Sequence, residues 1–533
     1  MIDIENKRKY EEVPINSKDY INDLIEKKLI LRKQKNNMLI KRKRSYLQLH
    51  LDGNNNCKLN QDQQFQIVKF DKSFNIINMY LNSNNPDLIE YCLMEIDNYF
   101  RIYFPDINEQ KKIIETKFLT ILLYFGNKYI EEKSKSNLEC ILRILINIQY
   151  YEIGNNTYLL DLYSNEFFHF YNNCLLYADT TKNIGFTSLI YQKITMIFNL
   201  LASNEKSGGD YLSLIFLRNP SFVKILNHYE EKNIKDQEEI NSTIELISYI
   251  VNLSDEENDN LTNEDVKRID KCLNILIYEL YSKSNEELLS KILEGIKYIS
   301  NLNDDYKFNK KIINEGVTLK ILKMKFNNIN PSENYIKIIR NSMHNLANNL
   351  VLSDKICQII YDQNIIDYYN NILEKFDDDK NIVKFILSGL SNISVGSHKE
   401  IIKDSNIWQE KRIIKFLSFG DDITFYMIKI VKYILYKEDF EYIQFIFKTK
   451  VLKYFLDLFV AGNIGQNICY KILKLVDRYL SYFKLNLKET NEYLFVYNQF
   501  KDIFSNCEKI ILLRDENNNI IPDIEKKIEK NYE

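Results

Sequence analysis
The sequence predicts an all-α protein, an elongated stack of helices behind a basic N-terminal arm. Three observations point there. Only 13 Gly and 6 Pro occur in 533 residues, against about 7% and 5% in ordinary chains. Rossmann sheets, TIM barrels and β-sandwiches need many Gly and Pro turns, so long helices with short polar connections are expected instead. The chain is 45% hydrophobic and 27% charged, enough to bury a large core. Finally, one apolar helical motif returns every 41 to 53 residues along most of the chain, which marks a repeat architecture.

The residues that carry enzyme chemistry are scattered. The eight Cys (57, 92, 140, 174, 272, 357, 469 and 507) form no CxxC pair, and the five His (50, 169, 228, 344 and 398) are equally dispersed. A disulfide framework and a zinc site are therefore not expected, and a reducing compartment is the natural reading. No HExxH, GxSxG, GxxxxGK[ST] or GxGxxG is present. The expectation is a protein that is not an enzyme and needs no cofactor or metal. No apolar run approaches the ~20 residues of a membrane span, and MIDIENKRKYEE is no signal peptide. A soluble intracellular chain without membrane insertion follows as an expectation.

The N-terminal segment, residues 1–65, is the basic arm. Residues 1–50 hold 13 Lys and Arg against 7 Asp and Glu, a net of +6, and the remainder, with 58 basic and 67 acidic residues, nets −9. Such an arm reads as a tail for nucleic acid, anionic lipid or an acidic protein surface. From Lys27 to Arg44, KKLILRKQKNNMLIKRKR carries nine basic residues and no acid. Leu24, Leu31 and Met38 recur every seven positions, which gives a narrow apolar stripe in a basic helix. A solvated basic helix, or a plain nuclear localisation signal at Lys41–Arg44, is the alternative. No Trp or Phe flanks the cluster, which disfavours a membrane-surface helix.

Residues 66–480 form the repeat array. An apolar helix ending in aliphatic-Asn recurs as CILRILINI at Asn147, QKITMIFNLL at Asn199, ELISYIVNL at Asn252, IRNSMHNLA at Asn345 and FILSGLSNIS at Asn392. LEGIKYIS places Tyr298 in the same slot, and MIKIVKYIL places Tyr433 there. Steps of 40 to 50 residues suit three-helix units. Such units are of armadillo or HEAT type, and the expected fold class is a right-handed α-solenoid of armadillo repeats. Asn is abundant here, so a few in register carry little by themselves. What sets these apart is that each sits late in the helix that would be third in its unit and would line the concave surface. A ladder of Asn, each donor and acceptor, could hold the backbone of an extended peptide. Residues 481–533 read as capping helices and a polar tail.

Arm and ladder together resemble the importin-α (karyopherin-α) family. LRKQKNNMLIKRKR at 31–44 is similar to that family's importin-β-binding domain. The resemblance implies that Lys27, Lys28, Arg32, Lys33, Lys35, Lys41, Arg42, Lys43 and Arg44 contact importin-β, or occupy the chain's own groove when importin-β is absent. PDLIEYCLMEIDNYFRIYF from Pro86 resembles the family's first repeat, and GLSNISVGSHKEIIKDSNIWQEKRIIKFL at 389–417 its seventh. Carried across, Asn147, Asn199 and Asn252 fall in the major signal site, Asn345 and Asn392 in the minor one. Tyr298 falls in the fifth repeat, where the family also tends to carry Tyr. The implied function is a nuclear import adaptor shuttling between cytoplasm and nucleus. Its partners would be importin-β, cargo proteins with nuclear localisation signals, and a nuclear export receptor through the C-terminal region, with no direct nucleic acid. The alternative is an armadillo scaffold derived from importin-α with altered or lost signal binding.

One departure stands out. The family places Trp one helical turn before the groove Asn, to sandwich cargo lysines. Here those slots hold Arg143, Thr195, Ser248, Glu294, Asn341, Ser388 and Lys429, and the sole Trp is Trp408. Arg143 and Lys429 would repel lysine-rich cargo.

Overall fold
The computed structural model describes residues 118–149, 165–203 apart from 182, 212–232, 236–282, 285–302, 307–326, 331–350, 364–395, 399–436 and 440–461, with isolated positions elsewhere. The basic arm, Tyr163 and its neighbours, and the C-terminal tail lie outside the described residues, as do both expected domain boundaries at 65 and 480. The chain divides into two compact units, residues 1–122 with 143–155, and residues 123–142 with 156–533.

Among the described residues every regular element is helical. α1 (Phe118–Glu131) and α2 (Lys135–Gln149) come first, then α3 (Asn165–Thr180) and α4 (Ile184–Ser203). A three-helix rhythm follows: α5 (Leu212–Arg218), α6 (Pro220–Lys232) and α7 (Gln237–Ile250), then α8 (Asp255–Asp259), α9 (Asn263–Tyr281) and α10 (Glu286–Ser300). α11 (Lys307–Asn314), α12 (Val317–Leu322) and α13 (Glu333–Asn349) repeat it. α14 (Ile365–Phe376) and α15 (Lys380–Val395) are next. Two 3₁₀ turns at Lys399–Asp404 and Asn406–Trp408 precede α16 (Glu410–Leu417) and α17 (Asp421–Tyr436), with α18 (Phe440–Lys448) and α19 (Val451–Ala461) after them.

Local chemistry sets the starts of these helices. Ser254 with Glu257, and Thr262 with Asp265, form reciprocal capping boxes at α8 and α9. Asp236, Asn285 and Ser332 each accept a backbone N–H at the start of α7, α10 and α13, three of the third helices. These caps substitute for Gly and Pro punctuation, which explains how so few of either suffice.

In the second unit the third helices pack side by side in chain order: α4 on α7, α7 on α10, α10 on α13, α13 on α15, α15 on α17. The preceding helices back them, α3 against α4, α9 against α10, α14 against α15 and α16 against α17. The core lies between these layers. Ile194, Ile197, Phe198 and Leu201 of α4 are fully buried, as are Ile244, Leu246 and Ile247 of α7. Phe168, Tyr171, Phe198 and Phe216 meet edge to face, with ring centroids 5.4–5.9 Å apart. At Gly389 a Cβ would lie 2.5 Å from the Tyr369 hydroxyl oxygen, so only glycine permits α14 to approach α15 this closely.

This architecture is an all-α solenoid, as the sequence predicts. One sequence expectation needs correction: α4, over Ile184–Ala202, is long and apolar enough by length and composition to cross a membrane. Its apolarity has a packing cause, because over half of that window is buried against the rest of the stack.

Candidate functional site: the face of the third-helix ladder
A helix packed on two neighbours and a backing layer keeps one stripe for solvent. On α7 that stripe is Glu238, Glu245 and Tyr249, continuing to Asn252 just past the helix end. On α10 it is Lys291, Glu294, Lys297 and Tyr298, and on α13 it is Arg340, His344 and Asn348. α15 contributes Lys384, Phe385, Ser388 and Asn392, and α17 Asp422, Phe425, Lys429 and Tyr433. Contacts between neighbouring helices join the stripes into one face. Gln192 of α4 donates to Glu238 of α7 at 2.9 Å. Lys291 of α10 lies over the Tyr249 ring, 4.8 Å from its centroid. His344 of α13 stacks on Phe385 of α15 at 4.3 Å, and Lys384 of α15 pairs with Asp422 of α17 at 2.9 Å.

The six expected peptide-contacting residues are not placed alike. Asn252 is exposed, while Tyr298 and Asn392 are half-exposed on the face. Tyr298 donates to Glu294 Oε1 at 3.3 Å, and Asn392 Nδ2 donates to the Ala347 carbonyl on α13 at 3.0 Å. Asn147, on α2 in the first unit, is half-exposed. The two others correct the expectation. Asn345 is 0% exposed, its Nδ2 donating to the carbonyls of Leu293 on α10 and Asn341 at 3.1 and 2.9 Å. Asn199 is buried, its Nδ2 donating to the Ser242 carbonyl on α7 at 2.7 Å. The amides at 199 and 345 therefore stitch one repeat to the next and are not open to a ligand. The nine basic residues of the arm expected to contact importin-β, from Lys27 to Arg44, lie outside the described residues.

Three of the seven slots one turn before the ladder positions are interior, while Arg143, Glu294, Ser388 and Lys429 are half-exposed. Thr195 and Ser248 are buried, and Asn341 donates to the Ser290 carbonyl at 3.3 Å. Their small size lets the third helices approach, and a large ring there would have to displace the neighbouring helix. Arg143 is held by Asp97 at 2.9 Å, both within the first unit. Trp408 is buried, donates its Nε1 hydrogen to the Ile402 carbonyl at 2.7 Å, and meets Phe445 edge-on, so it locks the 3₁₀ turn before α16.

Sequence reasoning missed how lysines use the remaining rings. Besides Lys291 on Tyr249, Lys297 lies 4.2 Å from the centroid of Tyr298, and Lys471 4.5 Å from that of Phe425. The aromatic seats on this face are thus taken by the chain's own ammonium groups. Positive charge accumulates from α10 onward. Burial lowers the Lys297 pKa, with Glu294 acting in the opposite sense. Burial, then Lys297 and Lys384, pull His344 down to about 4. Burial and then Lys432 lower Lys429. The signal available in the sequence was the i, i+3, i+4, i+7 spacing of polar residues, which would have put 344 and 348 on the face in place of 345.

Among the described residues no group of three or more His, Cys, Asp or Glu is placed to hold a metal ion. No family model matches the chain, and no curated protein matches it. Solved structures do. An engineered protein solved by the Northeast Structural Genomics Consortium superposes with a TM-score of 0.58 at 13% identity, over 81% of this chain and 99% of its own. A structure described by a conserved phosphorylation switch controlling the interaction between cadherin and beta-catenin superposes with a TM-score of 0.52 at 10% identity, over 83% of this chain and 91% of its own. Identities this low speak for fold alone, and on fold they agree with the ladder of third helices: this chain is an all-α, armadillo-like helical repeat protein.

Proposed function
We propose that the chain is a nuclear import adaptor of the importin-α type, which binds importin-β through residues 27–44 and extended segments of cargo along the ladder face. The observation that carries this reading is the order of parts: a run of nine basic residues without an acid ahead of a helical stack. The stack keeps Asn252, Tyr298 and Asn392 on one solvent face. Glu238, Glu245 and Glu294 lie on the same face of α7 and α10, and supply the negative field a lysine-bearing segment needs. Pull-down of the full chain with importin-β tests the arm. Changing Lys41, Arg42, Lys43 and Arg44 together to Ala should abolish capture. Equal capture of both forms, or of neither, would remove the adaptor reading.

A second reading has its own support. A scaffold with altered or lost signal binding accords with the buried Thr195 and Ser248, and with Lys291 and Lys297 seated on the rings a cargo lysine would use. Calorimetry of a lysine-rich signal peptide with the same four-alanine full-length variant separates the two, since that variant has no basic cluster to compete. Binding lost on Glu245→Ala with Glu294→Ala favours the adaptor, and no binding favours the scaffold.

A further inference from the structure
The basic charge on the ladder face is not spread along it. Glu238, Glu245 and Glu294 belong to α7 and α10, while Lys297 near the end of α10 is followed by Lys384 on α15 and by Lys429 and Lys432 on α17. They occupy one continuous surface. His344 feels both Lys297 and Lys384, and its ring stacks on Phe385, the neighbour of Lys384. Lys384 reaches Asp422, and Lys429 stands two helical turns further along the stripe of α17 that begins at Asp422. Of these lysines only Lys384 has an acidic partner within ion-pair distance among the described residues. Lys297, Lys429 and Lys432 have none there.

Four ammonium groups on one face, three of them outside ion-pair distance of an acid among the described residues, raise the local potential. Lys297 and Lys384 add to burial in lowering the His344 pKa, and Lys432 adds to burial in lowering that of Lys429. A negatively charged ligand relieves that potential, and a lysine-rich one worsens it. We infer that the section of the ladder face running from the end of α10 to α17 binds an extended acidic segment of a partner protein, with Lys297, Lys384, Lys429 and Lys432 as its carboxylate contacts and the Phe385–His344 stack as its apolar floor. Helices packed at about 8–10 Å put α10 and α17 about 27 Å apart over three steps. An extended chain covers that in about eight residues at ~3.3 Å each. The inference rests on the ladder face being the peptide-binding face, and it assigns to this section the charge opposite to that of an import signal.

The test is calorimetry of the full-length protein with a ten-residue peptide alternating Glu and Ser, against its Lys-for-Glu and Gln-for-Glu counterparts. The acidic peptide should bind, more weakly as salt rises, and the Gln peptide should not. Lys429→Ala with Lys432→Ala should weaken binding about tenfold, the sum of two solvent-facing ion pairs. Lys297→Gln, an independent variant on another helix, should weaken it several-fold. Lys267→Ala on α9, whose side chain is solvent-exposed and paired with Glu264 away from this face, should leave it unchanged, and circular dichroism checks that each variant is folded. No binding of the acidic peptide, or equal binding by folded Lys429→Ala/Lys432→Ala and Lys297→Gln variants, overturns the inference. Binding lost only when Lys41, Arg42, Lys43 and Arg44 become Ala assigns the peptide to the arm and overturns it too. The Lys peptide reports separately on the adaptor reading, so either idea can fail without the other.

Discussion

Two stretches of the same ladder solve the same packing problem with opposite surfaces. α7 and α10 present Glu238, Glu245, Tyr249, Glu294 and Tyr298, with Lys291 and Lys297 laid across the rings. α13, α15 and α17 present His344, Lys384, Phe385, Lys429 and Lys432. The difference extends to corresponding slots. Tyr298 on α10 and Asn345 on α13 lie 47 residues apart in one motif, yet the first reaches solvent and the second is sealed. α13 lies close enough to α10 for Asn341 and Asn345 to reach the carbonyls of Ser290 and Leu293. Its solvent stripe therefore runs through 340, 344 and 348, one residue earlier. One residue is a turn of about 100° on a helix, which decides between a ligand contact and a buried strut.

The strongest way to break this comparison is to charge the strut. Asn345→Asp would place a carboxylate where no water reaches, opposite carbonyl oxygens. The expected loss is about 3–5 kcal/mol of unfolding free energy in a denaturant titration, while Asn252→Asp on the exposed end of α7 should change it by less than about 0.5 kcal/mol. Similar losses at both positions would show that the two slots are equivalent after all.

Glycines at matching contacts give a smaller contrast. A Cβ at Gly389 meets the Tyr369 hydroxyl at 2.5 Å, its ring at 3.2 Å and Leu350 at 3.3 Å. At Gly295 it meets one end of the flexible Leu276, at 2.8 Å. Gly389→Ala should cost about 1–3 kcal/mol and Gly295→Ala less, read from thermal melts of the two variants.

The smallest effect sharpens the basic half. His344 is held near 4 by burial, Lys297 and Lys384, against about 6.5 in the unfolded chain. Between those values the unfolded state binds the extra proton, so the stability His344 contributes is complete above 6.5 and is lost as pH falls toward 4. The loss at pH 5 amounts to at most about 2 kcal/mol at 1.36 kcal/mol per pKa unit. His344→Gln should flatten the difference in melting temperature between pH 7 and pH 5; an unchanged difference would remove His344 from the account.

Much of the fold was legible in the sequence because it rests on composition and period. Scarce Gly and Pro implied helices, and the recurring aliphatic-Asn motif located α2, α4, α7, α10, α13, α15 and α17. The site was legible only in part. Asn252, Tyr298 and Asn392 reach the face, while Asn199 and Asn345 do not. A period near 47 fixes which helix a residue belongs to, whereas rotation about the helix axis is set by how closely neighbouring helices approach. The seating of Lys291 on Tyr249 was hidden for the same reason, since those residues lie 42 positions apart and meet only through packing. Trp408 could be seen to lie in the wrong part of its repeat, but its hydrogen bond to Ile402 depends on a 3₁₀ turn with no periodic signal.

The buried amides at 199, 341 and 345 have a further consequence. Each bonds a carbonyl at a fixed height on the adjacent helix, so a neighbour displaced by one turn would leave that group without its match in a dry interface. Apolar surfaces alone would tolerate such a shift. The amides act as keys that admit one vertical alignment at the α4–α7 and α10–α13 junctions, and because these two are keyed differently, the modules on either side are not interchangeable: joining α4 directly to α13 would bring together helices that do not fit.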